Sequence, residues 1–238
     1  MISVCLATYN GENYIKQQLD SILNQIGIDD EVVISDDNST DDTVTIINSF
    51  NDKRISIHKN KGKGVHQNFE NAISKSKGDY IFLSDQDDVW MADKVQTCLK
   101  DFEKGYDLIL SDCSIFNSET GEIVEESFFL FNNSKKGIIN NILKNSYIGC
   151  CMAFSSRLKN KVLPFPKTIP MHDSWIGITG ELFFKVNFNK GKLIKYRVHS
   201  QNASYTGTGK SEYSLLKKVS FRLSLCYALC RRFVFKLK

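Results

Sequence analysis

The sequence predicts an α/β fold: a mixed, mostly parallel sheet flanked by helices, with a basic amphipathic helix at its C-terminal end. Three observations predict it. Short apolar runs without polar alternation, such as residues 80–83, read as buried parallel strands. These runs alternate with stretches whose apolar residues recur at helical spacing, the β-α-β rhythm of a sheet covered on both faces. Acidic residues collect where strands end, at Asp36-Asp37 and at Asp85, Asp87 and Asp88. Open α/β sheets bind ligands in the crevice outside that carboxyl edge.

Residues 2–7 form an apolar first strand. Residues 14–26 place Tyr14, Ile15, Leu19, Ile22, Leu23 and Ile26 at helical spacing. A second strand over 31–35 ends in Asp36 and Asp37. Ser39 or Thr40 is placed to cap a helix over 41–50, and Asp41 and Asp42 suit its first turn. A strand over 54–58, a helix over 65–76 carrying Phe69, Ala72 and Ile73, and the strand over 80–83 follow. A helix over 91–102 and a strand over 107–113 complete the regular half. The second half is less regular. Residues 128–133 read as an exposed loop or edge, 138–145 as a short helix and 147–155 as a strand. Pro164, Pro166 and Pro170 mark a loop before His172. A helix over 174–184 and one or two strands over 186–198 follow.

The composition bounds the function. The chain has 238 residues, enough for one domain plus an appendage, and 42% of them are hydrophobic. Its seven cysteines are odd in number and lack a C-x-x-C pair, so neither a disulfide framework nor a zinc site is expected. Reduced thiols in a cytoplasmic protein are the better reading. The first residues read as a strand rather than a signal peptide. No apolar run reaches the ~18 residues of a transmembrane helix. Residues 210–238 hold eight Lys/Arg against Glu212 alone, a net +7, which leaves −3 of the +4 total for residues 1–209. The basic character belongs to the tail, and no nucleic-acid surface is indicated.

Asp85, Asp87 and Asp88 fall within four positions after an apolar strand. Packed carboxylates repel, so a cation there would stabilise all three; Mg²⁺ or Mn²⁺ suits such ligands together with substrate phosphates. The alternative is an acidic loop, with Asp88 capping the next helix. Thr8-Tyr9-Asn10 lie at the same sheet edge, or simply form a strand–helix turn. Asp173 precedes a helical stretch that it could also cap. Arg197 suits bidentate phosphate binding, and Lys61 and Lys63 are a weaker choice for the same role. His199 follows Arg197 at a strand end, where it is a ligand or a packed histidine. Trp175 lines a pocket or fills the core.

Five stretches taken together, in order from residue 2 to about 203, resemble family 2 inverting glycosyltransferases, most of all their bacterial rhamnosyltransferase-like branch. They are Ile2-Ser3-Val4-Cys5-Leu6-Ala7-Thr8-Tyr9-Asn10-Gly11, the run from Val32 to Thr43, the run from Phe82 to Trp90, His172-Asp173-Ser174-Trp175 and Tyr196-Arg197-Val198-His199. The resemblance implies a GT-A fold over 1–209, with a nucleotide-sugar half at 1–115, an acceptor half at 116–209 and a separate helical tail at 210–238. It implies a nucleoside-diphosphate sugar donor, dTDP-rhamnose or a UDP sugar, and Mn²⁺ or Mg²⁺. The base and ribose would lie against Thr8, Tyr9 and Asn10, with Asp37 accepting a hydrogen bond from the base. Asp87 and His199 would hold the metal, and Asp85 the ribose or the metal's waters. Asp173 would be the base for a single in-line displacement, which needs no second carboxylate as nucleophile. Gly149, Cys150, His172 and Trp175 would line the sugar or acceptor pocket. The implied process is bacterial surface polysaccharide assembly on a glycan or lipid-linked acceptor. The alternatives are a non-catalytic nucleotide-sugar-binding protein and a nucleotidyltransferase, although Thr8-Tyr9-Asn10-Gly11-Glu12 is not a glycine-rich phosphate loop.

In the tail, Leu216, Val219, Leu223, Cys226, Cys230, Phe233 and Val234 share one helical face, and most basic residues lie off it. This reads as a helix on an anionic membrane surface. Phe221, Leu225 and Phe235 lie off the stripe and suggest a second face packed on the core or on another subunit of a homodimer.

Overall fold

The computed structural model describes residues 1–200, 202 and 214–234. Strands β1 (Ile2–Thr8), β2 (Glu31–Asp36), β3 (Ile55–Lys59) and β4 (Tyr80–Asp85) alternate with helices α1 (Ile15–Leu23), α2 (Thr43–Ser49) and α3 (Val65–Lys75). The chain continues through β5 (Val89–Trp90), α4 (Lys94–Glu103), β6 (Leu108–Asn117), β7 (Ile123–Glu125), α5 (Phe128–Asn132) and α6 (Ile138–Leu143). A 3-10 turn (Gly149–Cys151), β8 (Met152–Ser155), α7 (Ser156–Val162), α8 (His172–Phe183) and β9 (Val186–Val198) follow. Helix α9 (Leu215–Leu229) runs into a π-helical turn (Cys230–Val234).

The strands form one sheet in the order β3-β2-β1-β4-β8-β6-β9-β5, with β7 paired to β6. Strands β1 to β4, β6 and β9 point one way, and β5, β7 and β8 oppose them. The chain moves outward from β1 to β2 and β3, then crosses back to place β4 on the other side of β1. That reversal opens a crevice at the carboxyl ends of β1 and β4, where ligands bind in folds of this kind.

Burial explains the strand signals. Every residue of β1 is buried, and Val4, Cys5 and Leu6 have no exposed surface, as a strand covered on both faces requires. Helix α1 covers the sheet with Ile15, Leu19 and Ile22, spaced by four and three residues, and α3 does so with Phe69, Ala72 and Ile73. Each of these isoleucine, leucine and phenylalanine side chains contributes about 1.5–3 kcal/mol through burial.

Several elements differ from the sequence expectation. Residues 128–132 are helical rather than a loop or edge. The Ser127 hydroxyl caps the helix by accepting from Leu130 N, and buried Asp112 holds the cap by accepting from Ser127 Oγ and from Phe129 N at 2.9 Å. Within 147–155 only the last four residues are strand, because Gly149–Cys151 make a 3-10 turn. The helix expected from 91 starts at Lys94, since Val89 and Trp90 pair with Lys195 and Ile194 of β9. Neither Ser39 nor Thr40 caps α2. The Asp41 carboxylate instead accepts from Thr43 N at 3.1 Å and from the Thr43 hydroxyl.

The second face expected of the tail packs on the domain, and Phe233, expected on the outer stripe, turns inward beyond α9. Leu225 and Ala228 are buried, and beyond α9 the Phe233 ring stacks on Trp175, with centroids 5.6 Å apart and planes at 8°. Leu216, Val219 and Leu223 are exposed. Lys210, Phe235, Lys236 and Lys238 lie outside the described residues. Among the described residues no helix is long and apolar enough to cross a membrane.

Candidate active site

Parallel register brings three strand ends together. Thr8 is level with Asp36 of β2, and Ala7 with Asp85 of β4. The Thr8-Tyr9-Asn10 segment therefore lies between the two acidic ends. Gln86 ties it to the β4 side: its Oε1 accepts from Thr8 Oγ1 at 2.6 Å and Tyr9 N at 2.8 Å, while its Nε2 donates to Tyr9 O at 3.0 Å. Gly11 leaves room for this amide, because a Cβ there would collide with it. On the β2 side, Asn10 adopts a left-handed φ of 48°, a conformation asparagine tolerates. Its backbone N–H donates to Ser39 Oγ at 2.9 Å, and its Oδ1 accepts from Thr40 N at 2.8 Å.

Asp37 follows β2 directly. Its carboxylate accepts from Asn60 Nδ2 and from Gly64 N, each at 2.8 Å. The second contact joins it to the start of α3. Asp37 is only half-buried, and a carboxylate with two partners keeps lone pairs for a third.

The acidic loop after β4 separates its three carboxylates by environment. Asp87 faces His199, whose Nε2 lies 2.9 Å from Asp87 Oδ2. The imidazole stacks on Tyr14 with centroids 4.6 Å apart. Asp85 is half-buried, and desolvation, followed by the charge of Asp87, pushes its carboxyl up to about 7. Asp173 also contributes to that rise, so it shares the electrostatic neighbourhood of the loop. Asp88 is wholly buried and is not a helix cap. It lies under the loop, accepts from Arg197 N at 3.0 Å, and is held well above the carboxylate range by burial and then by Asp87 and Asp85.

Arg197 does not reach out as a phosphate clamp. Its guanidinium is buried, donates to Asp87 O and Gln17 Oε1 at 2.6 Å each, and lies over the rings of Phe116 and Tyr14. It pins the acidic loop to β9, two residues before His199. Lys61 and Lys63 are exposed.

On the far side, Asp173 sits in the first turn of α8, where the helix dipole favours an anion. Its Oδ1 accepts from Ser174 N and Oγ, and its Oδ2 from Asn145 Nδ2 at 3.4 Å. Burial outweighs these bonds and raises the carboxyl to about 6. His172 is buried, stacks on Phe69 at 4.2 Å, and points Nε2 at Gly149, where any Cβ would collide with it. Neither of its ring nitrogens has a hydrogen-bond partner, and desolvation lowers it to about 3, so the ring is neutral at pH 7. Cys150 is buried in the 3-10 turn, and its thiol lies within 4.8 Å of ligand atoms of Asp85 and Asp88. Trp175 is not a pocket residue. It is fully buried, its indole donates to Val162 O at 3.0 Å, and it packs on Phe233.

The donor set suits a hard divalent cation. Asp87 offers carboxylate oxygen and His199 imidazole nitrogen, and Asp85, Asp88 and Cys150 form a group whose ligand atoms lie within 4.8 Å of one another. Asp88 Oδ2 has no protein hydrogen-bond partner. Sequence reasoning missed Gln86, Gln17, Tyr14 and Asn145, which position the others through neutral groups that carry no charge pattern.

A sequence profile of glycosyl transferase family 2 matches residues 3–163. The chain belongs to that family. Among relatives, WfaP of Escherichia coli, a UDP-Glc:alpha-D-GlcNAc-diphosphoundecaprenol beta-1,3-glucosyltransferase, is 30% identical over 210 residues, 86% of this chain and 80% of WfaP. RfbG of Shigella flexneri, a dTDP-rhamnosyl transferase, is 38% identical over 121 residues, 48% of this chain and 38% of RfbG. A chondroitin synthase of Pasteurella multocida is 40% identical over 106 residues, 44% of this chain and 11% of the synthase. The chain thus matches well under two thirds of the length of the last two. Among solved structures, residues 1–349 of S. aureus TarS with UDP-GlcNAc align with a TM-score of 0.68 at 18% identity, over 98% of this chain and 73% of that one. PcManGT of Pyrobaculum calidifontis, a mannosyltransferase in complex with GDP-Man and Mn²⁺, aligns with a TM-score of 0.63 at 14% identity, over 98% and 75%. At these identities the likeness establishes the fold, the GT-A architecture expected from the sequence.

Proposed function

We propose that the protein transfers a hexose from a nucleoside-diphosphate donor to a hydroxyl of a lipid-linked glycan, with inversion, in assembly of a bacterial surface polysaccharide. The observation that carries this reading is the pairing of Asp87 with His199 across the crevice where Thr8, Tyr9 and Asn10 end β1. The nucleoside rests on Thr8, Tyr9 and Asn10. Asp37 accepts the imide N–H of uracil or thymine, and Asp85 accepts from the ribose. Asp87 and His199 hold Mn²⁺ or Mg²⁺, which supplies Lewis-acid stabilisation of the departing diphosphate. Arg197 keeps that pair in place from behind.

Asp173 takes the proton of the acceptor hydroxyl. Its raised carboxyl, near 6, is largely ionised at pH 7 yet basic enough to accept a proton. The buried nitrogens of neutral His172, beside Gly149 and Cys150, hydrogen-bond a hydroxyl of the sugar or acceptor. WfaP, which matches most of this chain, uses UDP-Glc, and RfbG is a dTDP-rhamnosyl transferase, so both donor nucleotides belong in the first test. A lipid-linked acceptor places the work at the inner face of the cell membrane.

Calorimetric titration of the full chain with UDP-glucose, UDP-GlcNAc and dTDP-rhamnose, with and without Mn²⁺, tests the reading. At least one donor should bind, and more tightly with metal. No binding heat for any nucleotide sugar would contradict it.

A further inference from the structure

Helix α6 has six residues and ends at Leu143, two positions before Asn145. A helix so short is marginal by itself, and its last carbonyls have no partner within it. The tail supplies one. Arg222 of α9 donates through Nε to Ile142 O at 3.1 Å and through Nη2 to Leu143 O at 2.5 Å. The planar, permanently charged guanidinium serves two adjacent carbonyls at once and complements the negative end of the helix dipole. Arg222 is itself anchored. Leu225, three residues on and so on nearly the same side of α9, is buried together with Ala228. Beyond the helix, Phe233 stacks on Trp175 of α8.

The end of α6 delivers Asn145 to the site. Tyr147 orients its carboxamide: Oδ1 accepts from Tyr147 N and Nδ2 donates to Tyr147 O, each at 3.1 Å. Nδ2 keeps a second hydrogen, and Asp173 Oδ2 lies 3.4 Å from it. The other carboxylate oxygen is taken by Ser174 N and Oγ. Among the described residues, Asn145 is therefore the side chain outside α8 that hydrogen-bonds Asp173. Asn132 steadies the same loop from α5, donating to Asn145 O at 3.1 Å.

We infer that Arg222 is a positioning residue for the proposed base: by holding the C-terminal end of α6, it sets Asn145 against Asp173. The catalytic meaning of this contact rests on the reading of Asp173 as base, and it makes α9 part of the framework of the site. A donor to the ionised carboxylate favours that form, so Asn145 opposes the rise that burial causes. Loss of either Asn145 or Arg222 should move the Asp173 carboxyl further up. Asp85 of the acidic loop also feels the charge of Asp173, as does Tyr147, whose hydroxyl donates to Glu181 at 2.7 Å. The variants below leave those groups intact.

Carbon-13 NMR of the aspartate carboxyls in the full chain, titrated from pH 4 to 8, tests the inference. The Asp173 signal is the one lost in Asp173→Asn. Asn145→Ala should raise the Asp173 midpoint by about half a pH unit, the lower range for one hydrogen bond because 3.4 Å is long. Arg222→Leu should raise it about as far. The double variant separates positioning from the direct effect of a lost positive charge. Acting through Asn145, Arg222→Leu adds nothing in the Asn145→Ala background. An additive rise overturns the inference, as does an Asp173 midpoint that Arg222→Leu leaves unmoved. If Arg222→Leu does not fold, Arg222→Gln, which still reaches one carbonyl, carries the same comparison. Release of nucleoside diphosphate from UDP-glucose or dTDP-rhamnose with Mn²⁺ separates the two readings, and its acidic limb should move with the NMR midpoint in each variant. No release by the wild type at any pH defeats the transferase reading alone, since the midpoints still decide the role of Arg222. A limb that stays in place while the midpoint moves defeats Asp173 as base alone.

Discussion

His199 Nε2 stands 2.9 Å from Asp87 Oδ2, although the two residues are 112 positions apart. The acidic loop after β4 and the end of β9 meet only through the fold, and Arg197 locks them by bonding Asp87 O with its side chain and Asp88 with its backbone. If the pair is a metal site, His199→Ala should weaken Mn²⁺-dependent donor binding about tenfold or more. The melting temperature without metal should move little. Calorimetry at fixed donor with increasing Mn²⁺ reads both. An unchanged metal dependence would make His199 a packing residue on Tyr14.

Asp173 should act as a base. Its carboxyl is raised to about 6 by burial, so the ionised, proton-accepting form is lost as pH falls below 6. The rate at saturating donor should therefore rise from pH 5 to 7 and level off above. Asp173→Asn should lower kcat by ~10²-fold or more and remove that limb, with donor affinity nearly unchanged. A collapse of donor affinity instead would assign Asp173 to binding.

Buried Asp88 should cost the metal-free protein stability. Its folded carboxyl is held well above its unfolded value, so the folded state retains a proton that the unfolded state gives up. Stability then falls as pH rises above the unfolded value of ~4. Asp88→Asn keeps an oxygen for Arg197 N and removes the charge. It should raise the metal-free melting temperature at pH 7.5 by a few degrees, at about 2–4 °C per kcal/mol, and flatten its pH dependence between 5 and 8. A lower melting temperature with the pH slope intact would show that the charge is compensated.

Phe233 joins the tail to the domain. Its ring lies on Trp175, with Phe183 edge-on at 4.7 Å. Phe233→Ala should lower stability by about 2 kcal/mol, below the ~3–5 of a fully buried phenylalanine because Phe233 is only partly buried. Chemical denaturation checks this, and no change would mean that the tail adds nothing to the core.

Much of this was legible in the chain because buried parallel strands announce themselves. Residues 4–7, 32–34 and 80–83 are apolar runs, and each strand ends in the polar residues that build the crevice. Asp85 and Asp87 stand out as a carboxylate cluster after an apolar strand, whereas Asp37 and His199 are singled out by the family resemblance. What failed lacked a local signal. Trp175 looks the same in sequence whether it lines a pocket or fills a core, and only its bond to Val162 O and its stacking on Phe233 decide. Arg197 looked like a phosphate ligand until Asp87 O, Gln17 and two rings enclosed it. Gln86 carries no charge, yet it binds Thr8 and Tyr9 to the acidic loop. Val89 and Trp90 form a strand only because β9 lies beside them. The helix at 128–132 hid behind apolar residues, with Ser127 as its one cue.

The central claim is that Asp87 and His199 hold a divalent cation on the donor's diphosphate. Release of nucleoside diphosphate from the donor that binds best, followed with EDTA, with Mn²⁺ restored, and in Asp87→Asn, tests it most directly. The account predicts turnover with Mn²⁺, loss of nearly all of it in EDTA, recovery on adding metal back, and almost none in folded Asp87→Asn. Full turnover in EDTA, or in Asp87→Asn, would contradict it.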